Sequence, residues 1–286
     1  MSELFYSPQS IVFFIFIIIF SSMIGSFINV CAYRLPLGRS IVAPASACTS
    51  CGENIKWFFN IPVLGYLFLR GRCDCCFSPF SYRYALVELI TALFGLIVYL
   101  KFAANLLECA YYFLFMFFLL VIFLTDLDHW LILDSISIPA IVIGLLGSLF
   151  FLNSNPYDSI FYFFFPDLPV YSNKLLFGFI NSMSGLACGY FIFTMIAFLG
   201  SVFMRQEAMG GGDIKLAMLM GAFLGLGNSL FAFMLSFFLG FIFIMPMLVF
   251  MNKGGREPLP FGTFMALSAF ITLVWGDLII NKIVGF

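Results

Sequence analysis

Two aspartates and two cysteine pairs are the residues best placed to do chemistry in this chain. The first aspartate closes the run Met209-Gly210-Gly211-Gly212-Asp213-Ile214-Lys215, between two apolar segments. Glycine lets the backbone bend there and lets another segment approach closely. Asp213 then stands where a helix over Ile214–Leu226 would begin. An ionisable side chain at the edge of an apolar span is a functional-site candidate, although capping a helix after a glycine turn would use the same residue. Asp126, in Asp126-Leu127-Asp128-His129-Trp130, lies at the end of another apolar run. Two carboxylates within hydrogen-bond reach share a proton, so one can activate water while the other protonates a scissile carbonyl. That is aspartyl-protease chemistry, and it needs neither metal nor histidine.

The cysteines form Cys48-x2-Cys51-x21-Cys73-x2-Cys76, the spacing of a tetrathiolate zinc site. Each C-x2-C turn offers two sulfurs, and two turns complete a tetrahedron. Four protein ligands leave no open position, which makes such a zinc structural. Cys75 is an alternative to Cys73 or Cys76 at poorer spacing. Cys31, Cys109 and Cys188 lie in or beside apolar runs and read as packing residues.

Composition narrows what surrounds these groups. Hydrophobic residues make up 63% of the 286, charged residues 9%, and mean hydropathy is +1.10. A soluble domain carries about 25% charged residues, so the chain is expected to be an all-α polytopic membrane protein. The net charge of −1 leaves no large basic surface and argues against a nucleic-acid partner. A single histidine, His129, excludes a two-histidine zinc hydrolase, and it reads as a solvated or interfacial side chain.

About eight spans are expected: Ile11–Val30, Tyr84–Leu100, Leu107–Thr125, Ser135–Leu152, Phe177–Phe203, Ile214–Leu226, Leu230–Phe250 and Phe261–Ile280. The N-terminal run lacks a basic leader and is expected to be a retained first span. Residues 153–174, with Pro156, Pro166 and Pro169 among aromatics, read as an interfacial loop. The expected division is 1–33 as first helix, 34–83 as a small cytoplasmic four-cysteine zinc domain between helices 1 and 2, and 84–286 as a transmembrane core. With residues 34–83 inside, ten Lys or Arg lie on that face and three on the other. This bias puts both termini outside and both aspartates on the cytoplasmic side. Asp134 reads as an N-cap, Glu88 and Glu207 as bundle contacts or parts of a substrate site. Lys215 reads as a charge neighbour able to bind a substrate carboxylate or phosphate.

Gly25-Ser26-Phe27-Ile28-Asn29-Val30, Tyr33-Arg34-Leu35-Pro36, the two C-x2-C pairs, Asn60-Ile61-Pro62, Ser81-x-Arg83-Tyr84-x-x-x-Glu88 and Glu207–Leu216 follow one another in order. Together they resemble the bacterial type IV prepilin peptidases, whose G-x-G-D segment corresponds to Gly210, Gly212 and Asp213. The resemblance implies a bifunctional enzyme of the bacterial inner membrane. It would cut leader peptides from type IV prepilins and type II secretion pseudopilins at the cytoplasmic face. It would then N-methylate the new terminal residue with S-adenosylmethionine. It also implies Asp126 and Asp213 as catalytic pair and Cys48, Cys51, Cys73 and Cys76 as zinc ligands. One departure is Leu133-Asp134, where the family usually has Pro-Asp. No residue is assigned to the methyl donor. A transporter or proton channel with a structural zinc domain, and a membrane assembly factor that docks a partner on the cysteine domain, are the competing readings.

Overall fold

The computed structural model describes residues 8–48, 50–152, 173–204, 209–251 and 260–284. The proline-bearing interfacial loop, Glu207, Arg205, Lys253 and Arg256 lie outside the described residues. Helices dominate, and among the described residues β-structure is limited to two isolated bridges. In chain order the helices are α1 Pro8–Arg34, α2 Leu64–Phe68, α3 Arg83–Phe102, α4 Leu106–His129, α5 Asp134–Phe151, α6 Lys174–Met204, α7 Gly211–Met251 and α8 Phe261–Val284. A 3-10 turn at Trp57–Asn60 precedes α2. Six helices among the described residues are long and apolar enough to cross a bilayer, with a shorter apolar stretch at Phe261–Gly276. This is a multi-pass membrane protein.

The expected spans Ile214–Leu226 and Leu230–Phe250 are carried by α7, which runs without a loop but breaks at Gly225. Gly225 has φ 73 and ψ 179, a backbone region open only to glycine. The break is satisfied from a neighbouring helix, because the Leu226 N–H donates to Asn181 Oδ1 of α6 at 2.9 Å. A buried broken helix is tolerated where an adjacent helix receives its freed backbone groups.

The chain divides into two compact units, Met1–Val121 and Ile122–Phe286, with the division falling inside α4. In the first, α1 packs on α3. A Cβ at Gly25 would stand 2.8 Å from Glu88 Cα, and one at Gly95 would meet Ser21, so both crossings depend on the missing side chain. Between α1 and α3 in the chain runs the cysteine segment.

In the second unit α6 packs on α7, α7 on α8, and α5 on both α6 and α7. The closest approach comes from small residues at helical spacing: Gly185 and Gly189 on α6 face Ala217, Gly221 and Gly225 on α7. In lipid there is little hydrophobic drive between helices, so backbone approach of this kind and interhelical hydrogen bonds hold the pair. Ser182 Oγ, buried, supplies one such bond, donating to the Ala222 carbonyl at 2.6 Å. A cluster of Phe193, Phe233, Phe237 and Phe261, with ring centroids 5.1–6.4 Å apart, anchors the start of α8 to α6 and α7.

The α6–α7 contact leaves no room for a side chain. A Cβ at Gly221 would lie 2.2 Å from the Gly185 backbone. Gly221→Val should therefore spread the two helices and cost about 1–3 kcal/mol of overpacking. A lower thermal midpoint in detergent is the expected readout, with Gly227→Ala, whose added Cβ meets nothing within 4 Å, as the reference variant.

Candidate functional site

Asp126 lies inside the last turn of α4, not in a loop after it. The helix continues through Leu127, Asp128 and His129, all exposed, and stops where Trp130 turns to φ 53. The Trp130 N–H still bonds back to the Asp126 carbonyl at 2.9 Å. Polar residues did not end this helix because they face out, where hydration and backbone bonding are compatible. Asp126 itself is buried, at 5% exposure. Its carboxylate accepts the Thr263 N–H at Oδ2, 2.8 Å away, and the Gly262 N–H as well. Those two amides belong to the first turn of α8, whose N-terminal N–H groups have no partner within the helix. Asp126 thus caps a helix distant in sequence, and the positive end of that helix faces its charge.

Asp213 is the third residue of α7, and its N–H bonds the Gly210 carbonyl at 3.1 Å. Its carboxylate interacts electrostatically with Asp126, and Gly212 beside it and Gly262 beside Asp126 both lie against Ile132, so two residues 87 positions apart come near each other within the second unit. Ile132, buried in the α4–α5 connection, fills the space beside them. A Cβ on Gly212 would come within 2.8 Å of Ile132 Cβ, and one on Gly262 within 2.9 Å of both Ile132 Cδ1 and Asp126 Oδ2. The glycines have different jobs. Gly212 admits Ile132, whereas a Cβ at Gly211 would meet nothing. Gly210 stands just before α7, and a Cβ there would lie 3.9 Å from Asp213 Oδ2.

Lys215 does not stand free as an anion-binding group. Its Nζ pairs with Asp134 Oδ1 at 2.5 Å, joining the second turn of α7 to the first turn of α5. Asp134 is accordingly not an N-cap. The capping position is Leu133, extended at φ −80 and ψ 130, with no side-chain cap bond. That φ is one proline also adopts, so leucine keeps the turn geometry with which α5 begins.

Gly262 and Thr263 were not among the residues picked out by sequence. Their only signal was Pro260-Phe261-Gly262-Thr263, a proline and a glycine at the head of an apolar span. Nothing in that pattern says which carboxylate would reach it.

The cysteine segment folds as two similar turns in the first unit. In one, Cys48 N–H bonds the Glu53 carbonyl and Gly52 N–H the Cys48 carbonyl, with Gly52 at φ 73. In the other, Cys73 N–H bonds the Ser78 carbonyl and Phe77 N–H the Cys73 carbonyl, with Phe77 at φ 57. Bridges Ala47–Asn54 and Arg72–Pro79 close each turn. The sulfurs of Cys48, Cys51, Cys73 and Cys76 all lie within 4.8 Å of one another, with Cys48–Cys76 at 3.8 Å and Cys51–Cys73 at 3.9 Å. Tetrahedral zinc with Zn–S of about 2.3 Å requires sulfurs about 3.8 Å apart, so the donor set fits that ion. The Cys51 backbone amide and the Ser78 hydroxyl, by hydrogen bonding, pull the Cys48 thiol down to about 6, whereas burial and the neighbouring thiols push Cys51 up. Cys75 is exposed and outside the cluster, and Cys31 and Cys109 are buried as packing residues.

The similarities agree with this geometry. Residues 19–102 match the bacterial peptidase A24 N-terminal domain, and residues 113–245 match the type IV leader peptidase family. A protein of Aeromonas hydrophila named prepilin leader peptidase/N-methyltransferase is 30% identical, over 93% of this chain and 91% of its own length. Proteins with the same name from Pseudomonas putida (31%, 89% of this chain and 88% of its own) and Dichelobacter nodosus (29%, 96% and 95%) are similar throughout. No solved structure matches. With the cysteine turns in the first matched region and the paired aspartates in the second, the chain belongs to the type IV leader peptidase family.

Proposed function

We propose that this protein is a bifunctional membrane enzyme that cleaves prepilin leader peptides with Asp126 and Asp213 and then N-methylates the new N-terminus. What supports the reading is the nearness of those two acids at helix ends, around Ile132, inside one compact unit. One deprotonates the attacking water and the other protonates the scissile carbonyl oxygen, after which the proton passes to the leaving amine. Thr263 and Gly262 fix the orientation of Asp126, and the Lys215–Asp134 pair holds the α5 and α7 ends that flank Ile132 and Asp213. Gly212 leaves the space that Ile132 occupies beside Asp213, and the Gly210 carbonyl accepts the Asp213 N–H at the start of the helix.

Zinc held by Cys48, Cys51, Cys73 and Cys76 is a structural cross-link in this reading. S-adenosylmethionine, when bound, supplies the methyl group for the amine freed by cleavage. Basic residues cluster with the cysteine segment, which favours a cytoplasmic active face in a bacterial inner membrane. Prepilins and type II secretion pseudopilins are the substrates.

Asp126→Asn and Asp213→Asn should each lower leader cleavage of a prepilin peptide by at least about a thousandfold. Mass analysis of the products, with normal membrane insertion of both variants, checks this. Retained cleavage in either would remove the dyad. Gly262→Ala pushes a methyl against Asp126 Oδ2 and should reduce turnover by roughly tenfold or more, with the melting temperature lowered by only a few degrees. Metal analysis should return one zinc per chain, and a strong chelator or Cys51→Ser should make residues 46–80 protease-sensitive. Protection unchanged after full metal loss would contradict a structural zinc.

A further inference from the structure

The first unit contains a cleft of about 390 Å³ that the peptidase reaction does not use. It lies within the size range of small-molecule sites, roughly 300–1,000 Å³. Its lining includes Ser26, Asn29 and Tyr33 of α1, Tyr66 of α2, and Tyr84 and Glu88 of α3. We propose that this cleft binds the methyl donor S-adenosylmethionine, with Glu88 as counter-charge to its cationic sulfonium and the tyrosines as ring partners. The proposal rests on the methyltransferase half of the functional reading.

Three observations support it. Glu88 is only 8% exposed, yet among the described residues its partners are neutral donors: the Val63 N–H at 2.7 Å and the Ser26 hydroxyl. A buried carboxylate without a cation is costly to ionise, and a cationic ligand in the cleft would offset that cost. Arg34 also lines the cleft, but its guanidinium donates to the Ser40 and Ala45 carbonyls. Secondly, Val63 sits at φ 62 and ψ −50, an outlying conformation for a β-branched residue. Strain of this kind persists where surrounding structure holds it and gathers at ligand sites. Here it aims an amide at Glu88. Thirdly, aromatic rings around a carboxylate suit an organic cation joined to an adenine, since rings attract cations and stack on bases. Asn29 Nδ2, bonded to the Tyr84 carbonyl at 3.1 Å, locks α1 to the start of α3 across the cleft.

The test uses the full chain in detergent. Ultraviolet irradiation with radiolabelled S-adenosylmethionine should label peptides carrying Tyr33, Tyr66 or Tyr84. Labelling confined to other regions overturns the site, and this result is read on the unmodified chain. Equilibrium binding to Glu88→Gln, checked for retained zinc, should weaken for S-adenosylmethionine by about tenfold or more. S-adenosylhomocysteine, which lacks the sulfonium charge, should weaken by less than about threefold. Equal weakening of both, or of neither, removes Glu88 as counter-charge. If the unmodified chain methylates its product while these results fail, the functional reading stands and the site falls. If it never transfers a methyl group, both fall.

Discussion

The contact between Asp126 and the first turn of α8 organises the peptidase unit. A carboxylate at the C-terminal end of one helix meets the negative end of its own dipole, an unfavourable place for charge. The unpaired amides of Gly262 and Thr263 offset this and are themselves satisfied by it. Each helix end supplies what the other lacks. The arrangement requires that α8 begin at Asp126, and the phenylalanine cluster around Phe261 keeps it there.

Glycine makes the rest of the approach possible. Gly212 and Gly262 both lie against Ile132, each too close for a Cβ. Deeper in the unit, Gly185, Gly189 and Gly221 bring α6 and α7 backbone to backbone. Removing side chains here has two effects at once. It draws helices together in a medium with little hydrophobic drive, and it leaves room at the helix ends for carboxylates. The broken helix at Gly225 follows the same logic, with Asn181 taking the amide the break releases.

The cysteine turns solve a different problem. A segment of about 50 residues cannot form a sufficient core, and here it contains only the short α2 and a 3-10 turn. Its two turns bring four sulfurs to the separations of a tetrahedral site. That frame in turn supports the wall of the cleft in which Glu88 is buried. Thiol cluster and cleft therefore share one small scaffold within the first unit.

Sequence alone determined the features that are local or covalent. Apolar runs set most helices, because a span must satisfy its backbone within itself. Cysteine spacing marked the four thiols that cluster, because a C-x2-C turn has few conformations. Asp126 and Asp213 were legible as isolated acids at the margins of apolar runs. Other features depended on which segments meet, and only the tertiary structure decided them. Thr263 became a partner of Asp126 across 137 positions, and Lys215 found Asp134 across 81. The end of α4 moved past three polar or exposed residues because their exposure, which sequence does not state, let the helix continue. Helix ends and buried charges are satisfied by whatever comes nearest in space, and distance along the chain carries almost no information about that.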